Sequence, residues 1–239
     1  MRGRMKEHLS IETRIAAVLV VVAISSTPAA IAQGASDAAL DRWLEKQAGI
    51  HTWSADVVQT RTLPSLTRPL EATGRVWFAV PNRFRWQLGD PARTVAVRTT
   101  DELLVVYPRL QQVERYAFSA DLDPAWKQVL ALLEVGFPSD AAAFHESYEV
   151  LKTESVDGAW RFHLRPASDA ARRMLAAVRI QVARDDYRLL ATELVFPDGS
   201  TMRNDFSHHQ IDPPMDDDLF AFSADWQDWS QVRPLEDRK

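Results

Sequence analysis

The side chains that could do chemistry are sparse. Histidines stand at positions 8, 51, 145, 163, 208 and 209, and the 239 residues include no cysteine. The missing thiols exclude disulfides, thiolate metal sites, a cysteine nucleophile and an acylated N-terminal cysteine. Only His208 and His209 are adjacent. In an extended segment neighbouring side chains point to opposite faces, so the pair would need a kink to share one metal ion. Asp216-Asp217-Asp218 offers carboxylates to a cation, but three acidic residues directly before Leu219-Phe220 read as the cap of a terminal helical turn. G-x-S-x-G, H-E-x-x-H, the P-loop pattern and G-x-G-x-x-G do not occur. No metal, cofactor or catalytic group is expected, and binding is favoured over enzymatic work.

What the chain does supply is an aromatic and apolar surplus in its first half: Trp53, Trp77, Phe84, Trp86, Tyr107 and Phe118. Phe84, Trp86 and Leu88 alternate, so they share one face of an extended segment. Two readings follow. These side chains fill an ordinary core, or they line the open face of a curved sheet that an apolar ligand completes. Each methylene buried is worth roughly 0.8 kcal/mol, so one long acyl chain would be held firmly in such a place.

The elements that must position this face are legible as periodicity. A helix is expected from Ser36, where Leu40, Trp43, Leu44 and Ala48 recur at three- and four-residue steps and Gly49 ends the run. Extended segments follow near Trp53–Arg61, Gly74–Ala79, Arg83–Leu88, Thr94–Thr99, Leu103–Tyr107 and Gln112–Ala117, with Pro81-Asn82 and Asp90-Pro91 as turns. Asp123-Pro124 opens a second helix, apolar over a wide arc through Val129, Leu130 and Leu133, that ends at Gly136. Short helices are read at Ser139–Phe144 and Ser168–Leu175. Strands resume at Tyr148–Thr153, Trp160–Arg165, Val178–Ala183, Leu189–Phe196 and Thr201–His208, two of the links carrying Asp157-Gly158 and Asp198-Gly199. Consecutive strands with short links make an antiparallel meander, not βαβ units. The fold class expected is mainly β with α: one strongly curved antiparallel sheet in a single domain, with the helix Asp123–Gly136 available to roof its concave face.

The amino terminus has the layout of an export signal. Arg2, Arg4, Lys6 and Arg14 precede the apolar run Ile15–Ile24, which is about half the roughly 20 residues that a membrane span needs. Ala30-Ile31-Ala32 has the small-x-small form of a cleavage site. Residues 1–32 are therefore expected to be a signal peptide and 33–239 a single exported domain. Its loss makes the formal charge of −5 two units more negative, and no basic run supplies a footprint for nucleic acid.

The order of these parts resembles the LolA family of outer-membrane lipoprotein carriers. Trp53-Ser54-Ala55-Asp56-Val57-Val58-Gln59 is similar to the family's short strand ending in Gln. Pro81-Asn82-Arg83-Phe84-Arg85-Trp86 resembles its Arg-Pro-x-x-Phe-x-Trp segment, Asp101–Tyr107 its Asp-Gly-x-x-Leu-Trp-x-Tyr hairpin, and Leu219-Phe220-Ala221-Phe222 its closing Phe-x-Phe. The resemblance implies an unclosed antiparallel β-barrel with the helix Asp123–Gly136 as a lid over an apolar cavity, in a periplasmic, monomeric chaperone that receives acylated lipoproteins from an inner-membrane ABC exporter and passes them to an outer-membrane acceptor. It carries cavity-lining roles onto Val57, Phe84, Trp86, Val105 and Val106, and lid roles onto Val129, Leu130 and Leu133. Two positions depart from the pattern. Val80 stands where the family has the Arg that holds its lid closed, and Glu102 replaces the hairpin Gly. These departures leave open a carrier of another acylated lipid, or a module sensing lipid or lipoprotein in envelope stress.

Overall fold

The computed structural model describes residues 29–118, 136–138 and 140–232. In them twelve strands form one sheet: β1 (Thr52–Thr62), β2 (Leu70–Ala79), β3 (Arg83–Leu88), β4 (Thr94–Arg98), β5 (Glu102–Tyr107), β6 (Gln112–Ala117), β7 (Tyr148–Val156), β8 (Ala159–Pro166), β9 (Ala177–Ala183), β10 (Leu189–Val195), β11 (Thr201–Ile211) and β12 (Ser230–Val232). Their spatial order is β12-β6-β5-β4-β3-β2-β1-β11-β10-β9-β8-β7, and the two outer strands do not meet, so the sheet is not closed into a barrel. Every extended segment read from the sequence is a strand. The sheet is nevertheless mixed, because β12 runs parallel to β6. Three residues are too few to show a period, which is why β12 is invisible in the sequence.

The sheet is wrapped around its contents. One apolar cluster runs from Leu103 on β5 to Tyr148 on β7. At roughly 4.8 Å per strand those ten strands would span about 40 Å if flat, so a continuous core on one face requires the sheet to curl. Helix α1 (Ala29–Ala48) fills one half of the inner face with Ala39, Leu40, Trp43 and Leu44. Trp43 is fully buried, its ring 5.8 Å from Phe144 and 5.8 Å from Phe162. Phe144 comes from α2 (Ala141–Ser147), capped by the Asp140 carboxylate accepting from the Ala142 N–H at 2.8 Å. A third helix, α3 (Asp169–Met174), is capped by Ser168.

The outer face is built differently at its two ends. Over β9–β11 it carries ion pairs, Arg179 with Glu193 at 2.9 Å and Arg203 with Asp205 at 2.5 Å. Over β4–β6 it is apolar: Val95, Val97, Leu104, Val106 and Val113 form a second cluster with Trp226, and Phe222 and Trp229 pack against it. The carboxy-terminal segment that supplies these aromatics covers the central strands from outside. Strand β5 is thereby buried on both faces, which accounts for its unbroken run Leu103-Leu104-Val105-Val106.

Several boundaries differ from the sequence reading. Helix α1 begins at Ala29, through the small residues taken for a cleavage site, because alanines are strong helix formers wherever the chain lets them be. Helix α2 sits slightly later than predicted, since Asp140 is its cap. Asp217–Phe220 does form a short 3-10 turn, but no carboxylate caps it; Asp217 reaches Arg83 instead, at 2.5 Å. Residues 1–28 and the helix expected at Asp123, with Val129, Leu130 and Leu133, lie outside the described residues.

Strand β2 starts at Leu70, ahead of the predicted Gly74, and this places Gly74 inside the strand opposite Leu88 and Val57. A Cβ there would lie 1.9 Å from the Gln87 carbonyl oxygen, a backbone atom that cannot turn aside. Gly74 is thus the close-approach residue between β2 and β3. Gly74→Ala is expected to destabilise the protein by roughly 2–3 kcal/mol, read as a lower urea midpoint. Gly49→Ala, where the nearest atom is 3.6 Å away, should change it little. Equal midpoints for the two variants would contradict this packing.

Candidate functional site: an apolar cavity on the inner face

Where α1 does not reach, the inner face leaves a cavity of about 180 Å³. Trp86 and Leu88 of β3 and Ala96 of β4 form one wall, and Leu194, Met202 and Phe206 of β10 and β11 the other. The register explains the space. Trp86 is flanked by Val76 on β2 and by the small Ala96 on β4, while Leu88 faces Gly74, which projects no side chain. Phe137 closes one end, stacked on Phe78 with ring centroids 4.8 Å apart and 4.7 Å from the Trp53 ring. The Trp86 and Phe206 rings meet edge-on at 6.0 Å.

A polar row crosses this apolar floor. Gln59, Asn204 and Thr192 are directly opposite one another on β1, β11 and β10. The Gln59 Nε2 donates to Asn204 Oδ1 at 3.0 Å, and the Asn204 Nδ2 donates to Thr192 Oγ1 at 3.2 Å. Asn204 and Thr192 are buried. The indole N–H of Trp86, in the facing wall, is also buried and has no acceptor among the described residues. Sequence reasoning noted Gln59 only as the end of a family-like strand and missed its two partners. The available signal was Asn204 between Met202 and Phe206: asparagine is disfavoured in strands, and there it occupies an inward position.

The residues singled out in the sequence separate. Trp86 lines the cavity. Val57 and Phe84 are buried in the same inner cluster, and Val105 packs against it, but none of the three reaches the cavity wall. Val106 is on the other side of the sheet, among Val95, Val97 and Trp226, because alternation sends it opposite to Val105. Val80 packs at the rim of the inner cluster and lines a separate space of about 270 Å³ with Pro81, Phe78 and Phe137.

The cations near the family-like segment face outward. Arg83 lies 5.1 Å from the Phe220 ring, and Arg85 lies 5.7 Å from the Trp226 ring. Burial there pulls the Arg85 pKa down. Arg98, by contrast, shares the inward side of β4 with Ala96 and lies over Phe118 at 5.3 Å, its pKa also lowered by burial. A second, larger groove of about 910 Å³ runs between the outer face and the carboxy-terminal segment. Its lining mixes Arg85, Gln87, Gln210 and Asp225 with Trp77 and Trp226, a wall unsuited to hydrocarbon.

The two adjacent histidines part at a bulge. The β1–β11 register shifts so that both stand opposite Ala55, and His208 takes a left-handed φ of 50°. His208 is exposed and contacts Asp56 at 3.0 Å. His209 turns inward, its Nε2 2.6 Å from the Leu189 carbonyl oxygen and its ring 5.7 Å from Trp53. Burial, first of all, lowers the His209 pKa.

A family model described as outer membrane lipoprotein carrier protein LolA matches residues 48–223. No match was found among proteins of curated function. Among solved structures, the chain is similar to an uncharacterized conserved protein from Thermus thermophilus, at 15% identity and a TM-score of 0.49 over 84% of this chain and 99% of that one. It is similar to a LolA superfamily protein from Nitrosomonas europaea, at 14% identity and a TM-score of 0.41 over 78% and 97%. The MucA/MucB complex of Pseudomonas aeruginosa gives 19% identity and a TM-score of 0.44 over 80% of this chain and 62% of that one. At such identities the likeness concerns the fold alone.

The inward histidine makes a pH prediction. A histidine with a lowered pKa is neutral in the folded protein while the unfolded chain takes up its proton near pH 6.5. Its contribution to stability is full above that pH and is lost as the pH falls toward the folded-state pKa. The urea midpoint should therefore fall less between pH 7.5 and 5.5 in His209→Gln than in the unaltered protein. Identical pH slopes would mean that His209 titrates as a solvated imidazole.

Proposed function

This chain belongs to the LolA family, and we propose that it is an exported periplasmic carrier whose inner cavity holds the acyl chain of a lipid-modified cargo. The observation that carries this reading is the cavity between Trp86, Leu88, Ala96 and Leu194, Met202, Phe206, an apolar space kept beside a core that is otherwise filled. Its volume is below the roughly 300–1,000 Å³ of small-molecule pockets, so admission of a whole acyl chain requires its walls to part. Loading and release then use one movement. In this proposal residues 1–32 direct export, and an inner-membrane ABC exporter and an outer-membrane acceptor stand at the two ends of the transfer. The role is binding, not catalysis.

Val80 favours a second reading, a carrier of another acylated lipid. At the position where the family has an Arg, an apolar side chain packs here against the core rim, and the outward Arg83 and Arg85 do not replace it.

Native mass spectrometry of protein taken from its own envelope tests both. The expected result is an added mass of an acylated species that is lost on delipidation; its size separates a lipoprotein from a free lipid. Protein that emerges without lipid, and takes up no acyl-chain probe afterwards, overturns the proposal. Within it, Trp86→Asp puts a charge into an apolar wall and should weaken binding of such a probe at least about tenfold. Arg85→Ala, on the opposite face, should leave binding within about twofold, since it removes no group from the cavity wall. Equal losses would move the site to the outer face.

A further inference from the structure

We propose that the cavity reads the carbonyl of an acyl ester or amide, and does not merely shelter hydrocarbon. This rests on the reading of the cavity as an acyl-chain site and adds a requirement to it. Hydrocarbon alone is best served by an unbroken apolar wall, yet three polar side chains in register cross this one. A hydrogen-bonded row inside a cavity is an expense that an apolar ligand does not justify.

The row and its facing wall are rich in donors. Gln59 and Asn204 each commit one of two amide hydrogens to the row itself. The second hydrogen of each has no hydrogen-bonded partner among the described residues, and the Thr192 hydroxyl serves there only as an acceptor. Across from them the Trp86 indole nitrogen, which is donor-only, is sealed from solvent without an acceptor. Buried donors left unmade are rare in native proteins and call for an explanation. Trp43 also has an unpartnered indole N–H, but it is packed at 0% exposure between Phe144 and Phe162, where nothing can enter. The Trp86 ring differs in lining a cavity, whose walls must part to admit a chain.

The complement to surplus donors is a group that only accepts. An ester carbonyl does so, and an amide carbonyl does so at its oxygen. An ionised carboxylate also accepts, but no Lys or Arg among the described residues lines the cavity, and a buried charge without a partner is disfavoured. The geometry therefore points to the neutral acyl linkage of a lipid, with Trp86 as the principal donor and the Gln59–Asn204–Thr192 row beside it. The hydrocarbon beyond the carbonyl takes the side of Leu88, Ala96 and Met202.

The test compares methyl laurate, dodecyl methyl ether and laurate at pH 8 as displacers of anilinonaphthalene sulfonate from the mature protein. The ester is expected to displace the dye at a concentration about tenfold below that of the ether and of the carboxylate. In Trp86→Phe the ester should fall to within about threefold of the ether. Because both probes are read on the same variant, a folding defect lowers them together and leaves the ratio interpretable. Equal potency of ester and ether in the unaltered protein overturns this inference, as does an ester preference that survives both Trp86→Phe and Asn204→Leu. Failure of all three molecules to displace the dye overturns the acyl-chain site itself.

Discussion

Strand β1 pairs with β11 along nearly its full length, from Trp53 beside Ile211 to Thr62 beside Thr201. This seam joins the first six strands of the chain to the later ones, and it is the only place where β1–β6 and β7–β11 share ladder hydrogen bonds among the described residues. Without it there are two separate meanders, each with one apolar face exposed. With it the sheet becomes wide enough to curl, and the apolar faces turn toward each other. The cavity straddles that seam, with Trp86 and Leu88 on one side and Phe206, Met202 and Leu194 on the other.

The second dependency is the use of both faces of the sheet. The segment beyond β11 covers the outside of β4–β6 with Phe222, Trp226 and Trp229, while Arg83 and Arg85 lie against the aromatics of that segment. The outer packing stiffens the strands that carry Trp86 and Ala96. The opposite wall, on β10 and β11, has ion pairs on its outer side instead.

Membership of the LolA family and the cavity's composition bear on different parts of the functional reading. The family supplies the fold, one that lipoprotein carriers use. The side chains supply two features of this chain: an apolar Val80 at the rim, and a donor-rich polar row across the floor. The first stands where the resembled segment has an Arg. The second asks something of the ligand that hydrocarbon alone does not meet.

What the sequence determined by itself is local. Alternation or a short apolar run between breakers marks every strand of the meanders, Asp157-Gly158 and Asp198-Gly199 mark two of their turns, and Phe84 and Trp86 share a face, because period and turn chemistry act between near neighbours. Family-like order within those segments was legible for the same reason. Other features needed partners distant in the chain. Val105 and Val106 look equivalent in a run of four apolar residues, and only the arrival of Trp226 on one side and the inner cluster on the other tells them apart. Gln59 and Asn204 are 145 positions apart and meet only because β1 and β11 adopt one register. β12 exists only because an edge of β6 was left to accept it. A strand's face is written in its own residues, whereas the contents of a cavity depend on which strands the chain brings together across its whole length.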